Sequence, residues 1–326
     1  MSTYILRKGQ AVLADLKDGR SAYGYPGAEY LGQDFFVNNI TGSAYADGSD
    51  WSNAFDQIDA ALLASEELRH SRATNNLMIR NRIFVQGTET AYAKMDQDFN
   101  GADLIGIGNI KHLGGAAGDV MVSGAGAADG WAMTDLIANW DDTINKGGGL
   151  GIKVYNMHFE ASGAYWAVDL ETALLSSFED CTFMTSGSTN TGGLRCSMHF
   201  AGNLMRNCHA GGDAGSVTDG FYFTGGVFNQ NVIENCSANA VRYGFFVDDY
   251  LQGGTVVRNN QFYGGTYGLY DNSAETTLLG LALYTGNCCG GGTTGMVVTN
   301  AGTKRAIGNW VTSNGVADWF TTIAKS

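Results

Sequence analysis

The sequence predicts an all-β solenoid of parallel strands with a helix at its N-terminal end. Composition gives the first two indications: of 326 residues, 47 are glycine and one is proline. Proline cannot donate to a strand ladder, whereas glycine readily adopts the left-handed conformation found at corners between strands. The glycines follow no Gly-X-Y period, which excludes collagen. The third indication is a repeat in the second half of the chain.

From about residue 150 a short phrase recurs, with Asn or Asp at its centre and most often Cys or Asn after it. Its central column, spaced at 22–28 residues, comprises Asn156, Asp180, Asn207, Asn235, Asn259, Asn287 and Asn309. We expect these side chains to lie at one corner of successive coils and to form a hydrogen-bonded ladder. Small side chains are expected to stack behind the ladder, inside the coil, at Cys181, Cys208, Cys236 and Cys288.

A second column of dipeptides that end in glycine runs in step with the first. It comprises Asp219-Gly220, Tyr243-Gly244, Tyr267-Gly268 and Thr294-Gly295. Each repeat therefore holds two or three short β-rich runs between turns, and none contains a helical pattern. This excludes ankyrin, tetratricopeptide and TIM-barrel folds and predicts regular coils over about 150–326, stacked about 4.8 Å apart.

The first half predicts the elements that precede the regular coils. Asp34–Asn38 is expected to form a strand, followed later by strands at Ile83–Val85 and Leu104–Ile107. Four apolar residues fall at intervals of four, three and four: Trp51, Phe55, Ile58 and Leu62. This spacing forms one face of a helix, which we place at about 50–69. Solenoids need closed ends, so this helix is assigned to the N-terminal cap.

Two stretches resemble a known superfamily. FFVNNITGSAYADGSDWSNAFDQIDAAL (Phe35–Leu62) is similar to the opening of right-handed parallel β-helix proteins of the pectate-lyase-like superfamily, and DLIGIGN (Asp103–Asn109) resembles their next segment. The resemblance implies a right-handed parallel β-helix solenoid with an N-terminal capping helix over residues 34–326. It does not specify an activity, because this fold hosts lyases, hydrolases, adhesins and virion proteins.

A narrower resemblance is to β-helix proteins that bacteriophages encode as virion components. It implies a structural protein of the virion, either decorating the capsid or belonging to the tail, that assembles in the host cytoplasm. The partners so implied are other virion proteins and further copies of the chain, for example in a homotrimer. The N-terminus carries no secretory signal of the usual kind, which agrees with this interpretation.

Residues 1–33 differ in charge from the remainder of the chain. They carry three acidic residues and four basic ones, which are Arg7, Lys8, Lys17 and Arg20. Their net charge is therefore +1, and the remainder carries −14 of the total of −13. We interpret this segment as an arm that docks on a particle; a terminus packed on the solenoid is the alternative.

Charge and motifs exclude other classes of partner. A net charge of −13 argues against nucleic acids and anionic membranes, whose binding depends on Lys and Arg. There is no G-x-S-x-G, phosphate-binding loop or HExxH motif, and His158, His199 and His209 have no second ligand at metal-like spacing. The sequence therefore predicts neither a metal nor a cofactor.

The best carboxylate cluster for an enzyme is formed by Asp248, Asp249 and Asp271, with Asp169 and Glu171 further down the same face. Carboxylates one or two coils apart have the separation that glycoside hydrolases use. A polysaccharide lyase or hydrolase, such as a depolymerase, is therefore the rival function. Because the chain has 32 acidic residues, a solvated turn explains the same cluster.

Aromatic residues predict a glycan-binding flank. Tyr243 and Tyr267 occupy the same position in neighbouring coils, and Tyr270 and Tyr222 lie near them. Ring faces packed against sugars would suit a glycan. Stacking that only stabilises the β-ladder, by about 0.5–1.5 kcal/mol per pair, is the alternative.

Overall fold

The computed structural model describes residues 32–71, 80–97, 99–108, 120–124, 128–133, 149–186, 191–212, 218–275, 282–299, 304–313 and 316–322. In these ranges the chain forms a parallel β-solenoid of about six turns with a single α-helix near its N-terminal end. The predicted fold class is thus confirmed. The basic residues of the predicted arm, Arg7, Lys8, Lys17 and Arg20, lie outside the described ranges.

Each regular coil contains three strand segments, so the strands form three rows along the solenoid. The first row comprises β1 (Asp34–Val37), β2 (Asn81–Gln86), β4 (Ala102–Ile107), β7 (Lys153–Tyr155), β10 (Ser177–Glu179), β13 (Leu204–Arg206), β17 (Val232–Glu234), β20 (Val256–Arg258), β23 (Ala282–Thr285) and the first half of β26 (Lys304–Ser313). The second row comprises β3 (Tyr92–Ala93), β5 (Met121–Ser123), β8 (His158–Ala161), β11 (Thr182–Thr185), β14 (His209–Gly212), β18 (Ser237–Ala240), β21 (Gln261–Gly264), β24 (Cys288–Gly291) and the second half of β26. The third row comprises β6 (Trp131–Met133), β9 (Trp166–Leu174), β12 (Thr191–Ala201), β15 (Thr218–Thr224), β16 (Val227–Asn229), β19 (Tyr243–Gly253), β22 (Tyr267–Glu275) and β25 (Thr294–Val298).

Strands of each row pair in parallel with those of the neighbouring coils, as between β17 and β20 or between β19 and β22. The first two rows belong to one continuous sheet, and the third row forms a separate sheet. The last strand, β27 (Val316–Thr322), reverses direction and pairs antiparallel with β26.

The core lies inside the coils, where side chains in register stack on one another. One such column of the third row is buried throughout and comprises Val168, Leu194, Phe221, Phe245, Leu269 and Met296. Phenylalanine rings stack in the same way, for example Phe159 on Phe183 and Phe200 on Phe228, each pair with ring centroids 5.9 Å apart. Removing such a ring costs about 3–5 kcal/mol.

The capping helix, α1 (Ile58–Ser71), begins later than the predicted range of about 50–69. Asp50 instead caps a separate 3-10 turn, Trp51–Asn53, by accepting hydrogen bonds from two backbone N–H groups of that turn. Phe55 is bridged in parallel to Val37, so its extended backbone separates the turn from the helix. The predicted apolar face is therefore continuous only from Ile58 onward.

Helix α1 is fixed to the first coils by apolar and polar contacts. Ile58, Ala61 and Leu62 are buried in the core. The Asn81 side-chain amide donates to Ser65 Oγ at 2.9 Å, and the Asn100 backbone N–H donates to a buried carboxylate of the helix at 2.9 Å.

The glycines of the second sequence column lie where the second and third rows approach each other closely. In the third row they form a column in register, which comprises Gly193, Gly220, Gly244, Gly268 and Gly295. A Cβ atom on Gly244 would lie 2.6 Å from the Gly268 carbonyl oxygen and 2.9 Å from that of Tyr263 in the second row. No real Cβ sits so close to backbone atoms, so this column must be free of side chains.

Candidate functional site

Most residues of the predicted Asn/Asp column share a left-handed backbone conformation, with positive φ. Five of its members have a φ of 51–56°: Asn156, Asp180, Asn207, Asn235 and Asn259. Strand register places Gly286 and Gly308, with a φ of 65°, in the same column, which we call the outer corner column. Asn207 Nδ2 donates to Asp180 Oδ1 at 3.0 Å, a rung of the expected ladder.

Asn287 and Asn309 do not belong to the outer corner column. They lie one position later, in register with Asn260. Because glycine adopts the left-handed conformation at 286 and 308, asparagine is not needed there. The phrase Gly-Asn was thus aligned one residue out of register by sequence reasoning.

Asn260, Asn287 and Asn309 form an inner amide ladder that is at most 1% exposed. Nδ2 of Asn260 donates to Oδ1 of Asn287, and Nδ2 of Asn287 to Oδ1 of Asn309, both at 2.9 Å. The same oxygens accept the backbone N–H groups of the preceding coil, at 3.1 and 3.0 Å. Asn260 and Asn287 therefore each bond to the next coil through both the side-chain amide and the backbone N–H.

A second buried polar row at another corner was missed by sequence reasoning. It contains Ser176, Asn203, Asn231 and Thr255. Oδ1 of Asn231 accepts the backbone N–H of Asn203 at 3.0 Å, and Oδ1 of Asn203 that of Ser176 at 2.8 Å. Each of the two asparagines follows a residue with positive φ, Gly202 or Gln230. Their spacing of 28 equals that of Asn207 and Asn235, which is the signal that was available.

The cysteine stack follows the same register. Cys181, Cys208 and Cys236 are buried, and their thiols point at backbone carbonyl oxygens. Burial raises the pKa of the Cys181 and Cys236 thiols, so we expect them to stay protonated and unreactive. Cys288, predicted to join the stack, is exposed, whereas its neighbour Cys289 is buried.

The predicted carboxylate cluster is divided between the two faces of the third row. Asp271 is in register with the buried Val247 and points into the solenoid, where it is fully buried. Asp248 lies on the outer face and accepts a hydrogen bond from Asn272 Nδ2 at 2.8 Å. The side chain of Asp249 lies outside the described residues. Adjacent residues of a strand point to opposite faces. Asp271 is in register with Val247, the neighbour of Asp248, so the two carboxylates lie on opposite faces of the sheet and cannot act on one substrate.

The three predicted tyrosines do come together on the outer face. They belong to an aromatic ladder that comprises Trp166, Tyr222, Tyr243, Phe246, Tyr267 and Tyr270. Ring centroids of Tyr222 and Phe246 lie 4.6 Å apart with an interplanar angle of 9°, and those of Tyr243 and Tyr267 lie 5.7 Å apart at 14°. Within the ladder the rings therefore cover one another's faces and direct their edges outward.

The ladder ends at Tyr267 and Tyr270, which are in register with Thr294 and Val297 on the next coil. Side chains this small do not cover a whole ring face. Beside the Tyr270 ring lies a polar stripe of Asp248, Asn272 and Thr299, in which Thr299 Oγ1 lies 3.2 Å from Asn272 Oδ1. Burial, then the nearby Asp248 charge, raises the pKa of the Tyr270 phenol. Tyr270 therefore remains a neutral hydrogen-bond donor.

Two arginines flank the ladder, each paired with an aspartate. Arg195 Nε donates to Asp169 at 2.7 Å, and its guanidinium lies 5.2 Å from the Trp166 ring centroid. Arg242 Nε donates to Asp219 at 2.9 Å, and its guanidinium lies 4.8 Å from the Tyr243 ring centroid. Pairing balances the charges, so this part of the face attracts neither strong anions nor strong cations.

A second pair of carboxylates, Asp129 and Asp169, lies at the N-terminal end of the ladder. Asp129 Oδ1 accepts the backbone N–H of Trp166 at 2.5 Å. Burial raises the pKa of Asp129, and repulsion from Asp169 adds to this. Asp169 is instead held by Arg195. Carboxyl groups in such unequal environments are the usual arrangement for an acid and a base. Sequence reasoning named Asp169 but not Asp129.

The described ranges offer little to ligands of other kinds. No group of three His, Cys, Asp or Glu side chains there is arranged to hold a metal ion. The helix within those ranges lacks the length and apolar character of a membrane span.

Comparison with known proteins adds little to this geometry. No protein family and no curated protein matches the sequence. Among solved structures, YbhC of Escherichia coli is similar at 14% identity and a TM-score of 0.44, covering 98% of this chain and 87% of YbhC. A match this weak identifies neither an activity nor a ligand. The comparisons thus show neither the pectate-lyase-like superfamily nor a phage family for this chain.

Proposed function

We propose that the chain is a structural protein of a bacteriophage virion, in the capsid shell or the tail, and that it binds glycans through the outer face of its third strand row. The observation that carries glycan binding is the end of the aromatic ladder. There the rings of Tyr267 and Tyr270 pack together with centroids 4.9 Å apart, and Tyr270 lies beside the polar stripe of Asp248, Asn272 and Thr299.

This juxtaposition matches the chemistry of a sugar. One face of a pyranose ring exposes C–H groups, which pack against the electron-rich face of an aromatic ring. Its hydroxyl groups both donate and accept hydrogen bonds, which suits a carboxylate, an amide and a hydroxyl in one row. The balanced charges of the neighbouring arginine–aspartate pairs favour a neutral glycan.

The proposed structural role is supported by the ion pairs that arginines form with carboxylates along the first and third rows. On the first row, Arg206 and Arg258 both donate to the Glu234 carboxylate, each through Nε at 2.7 Å. On the third row, the two arginine–aspartate pairs occupy their own donors and acceptors. Such self-paired ladders stiffen a rod. The basic segment 1–33 is proposed to dock on other virion proteins, and assembly with further copies of the chain is proposed as well.

Glycan binding is tested with immobilised bacterial polysaccharides and the full chain. Tyr267→Ala and Tyr270→Ala are expected to weaken retention at least tenfold. Tyr263→Ala, at a 52% exposed tyrosine of the second row, is the matched control and should bind like wild type. Equal retention of all four proteins, or none by wild type, would overturn the glycan proposal.

The virion assignment is tested by cryo-electron microscopy of the particle that carries the protein. Many copies on the shell identify a capsid decoration protein, and a few copies at the tail identify a tail component. Absence of the rod from purified particles contradicts the assignment.

A second candidate function, cleavage of a polysaccharide, is favoured by Asp129 and Asp169 at the other end of the ladder. An acid with a raised pKa, here Asp129, beside a carboxyl group that an arginine holds can protonate a leaving group. Release of reducing ends or unsaturated products by wild type, lost in Asp129→Asn, would establish this function. Product release that is unchanged in Asp129→Asn would rule out this pair.

A further inference from the structure

A buried polar cluster lies inside the solenoid near its C-terminal end. Asp271 occupies an inward column of the third row whose other described members are Met133, Leu170, Cys196, Phe223, Val247 and Val298. Lys304, at the start of β26, reaches it across the interior from the first row. Asp271 is 0% exposed and Lys304 is 1% exposed. Neither group contributes to the outer face described above.

The two side chains are held in contact by several hydrogen bonds. Lys304 Nζ lies 3.0 Å from Asp271 Oδ1 and donates to the Ser273 carbonyl oxygen at 2.8 Å. Tyr284 Oη donates to Asp271 Oδ2 at 2.5 Å, and Ser273 donates to Oδ1 through its N–H at 2.9 Å and its hydroxyl at 2.6 Å. The amine nitrogen is thus held in hydrogen-bond contact with the carboxyl group.

We propose that Lys304 and Asp271 form an intramolecular amide bond between Nζ and Cγ. The Lys304 ammonium gives a proton to the Asp271 carboxylate, and the neutral amine attacks Cγ. A Cγ–O bond then breaks as the N–C bond forms, and the oxygen leaves as water with the second proton from nitrogen. One ammonium and one carboxylate therefore yield one amide and one water, and no oxidant or further reactant is required.

The surroundings favour each step. An apolar interior makes separated charges costly, so conversion of the ion pair into a neutral amide removes that cost. The Tyr284 phenol and the Ser273 N–H are already directed at the carboxyl oxygens, where negative charge develops during the attack. Exclusion of bulk water from a fully buried site also prevents hydrolysis of the product. The bond would tie the third row to the first across the final coils.

This inference is independent of the proposed function and is tested by the intact mass of the purified full chain. Wild type is expected about 18 Da below its sequence mass, and fragmentation should show the peptides of Lys304 and Asp271 joined. Asp271→Ala and Lys304→Arg should have their full sequence masses. Asp219→Asn, which alters another buried carboxylate, should keep the loss of one water.

Tyr284→Phe keeps the ring and removes the phenol, so we expect a smaller linked fraction at the same time after synthesis. Wild type at its full sequence mass overturns the proposal without reference to any variant. A loss of one water that persists in Lys304→Arg also overturns it, because the loss would then arise elsewhere in the chain.

Discussion

Two columns of side chains run side by side along the solenoid, one position apart in the sequence. The outer corner column meets a backbone requirement, since its members have a φ of 51–65°. The inner amide ladder of Asn260, Asn287 and Asn309 meets a hydrogen-bonding requirement in a buried position. Asparagine satisfies both requirements, because it tolerates positive φ and carries both a donor and an acceptor. One residue type can thus occupy adjacent columns for different reasons.

Of the two columns, the inner amide ladder is expected to contribute more to the free energy of unfolding. Asn287→Ala removes the acceptor of Asn260 and the donor to the Val257 carbonyl, and leaves buried partners unsatisfied. Each such group costs about 1–3 kcal/mol, so we expect a loss of about 3 kcal/mol or more in the free energy of unfolding. Urea unfolding measures it. A loss no larger than that of Asn235→Ala would contradict the distinction between the columns.

Glycine residues also occupy their positions for two different reasons, which are lack of space and positive φ. Gly244 is placed by lack of space, and overpacking by Gly244→Ala should cost about 1–3 kcal/mol. Gly308 has a φ of 65°, and a Cβ atom there would have no neighbour within 4 Å, so Gly308→Ala should lose only about 1 kcal/mol. Thermal unfolding of the two variants compares them. Equal losses would show that crowding at Gly244 is relieved by small movements.

The outer corner column should accept its own two residue types interchangeably. We expect Gly308→Asn and Asn235→Gly to change the free energy of unfolding by less than about 0.5 kcal/mol, and Asn235→Ala to lose about 1 kcal/mol. Both wild-type residues have positive φ. Chemical denaturation of the three proteins tests this. If Asn235→Gly loses as much as Asn235→Ala, the side-chain amide rather than φ determines the column.

The smallest expected effect is on the pH dependence of stability. The charged row at Glu234 should show such a dependence, and the neutral amide ladder should not. Hydrogen bonds from Arg258 and Arg206 lower the pKa of Glu234. A lowered pKa means that the carboxylate stabilises the fold above its ordinary pKa of about 4.3, and that this contribution is lost as pH falls through the lowered value. Because the arginines are half-exposed, the effect is expected below about 1 kcal/mol.

Glu234→Gln should therefore lose less stability than wild type when unfolding at pH 7 is compared with unfolding at pH 3. The inner amide ladder carries no titrating group, so Asn287→Ala should lose as much on acidification as wild type. An identical pH dependence for wild type and Glu234→Gln would show that the ion pairs at Glu234 do not stabilise the fold.

Sequence reasoning reached the fold because a solenoid repeats its requirements at nearly constant spacing. The corner residues with positive φ and the column of Gly220, Gly244, Gly268 and Gly295 return in every coil. It failed at Asn287 and Asn309, because a repeated letter does not reveal which of two neighbouring requirements it meets. The start of α1 was missed for a related reason, since the spacing of Trp51 and Phe55 fits a helix although their backbone does not form one.

Whether a site residue points inward or outward could be predicted only from the alternation of side chains along a strand. Asp271 aligns with Val247, and an inward direction follows from that alignment together with a period of two. Spacing alone grouped it with Asp248 instead. Asp129 and Lys304 gave no such signal, because their partners, Asp169 and Asp271, are 40 and 33 residues away in the sequence. Their proximity depends on how the coils stack rather than on any local phrase.

The reversed strand β27 has a consequence for how copies of the chain meet. An exposed parallel edge is a template on which another chain can add its strands, and solenoids with such edges join end to end into fibres. β27 occupies this edge on the last coil in the opposite direction, with Trp319 opposite Trp310. Helix α1 packs on the first coils. Because β27 occupies the edge that β26 would otherwise present, further copies are not expected to add their strands there, and the number of coils then sets the length of each molecule.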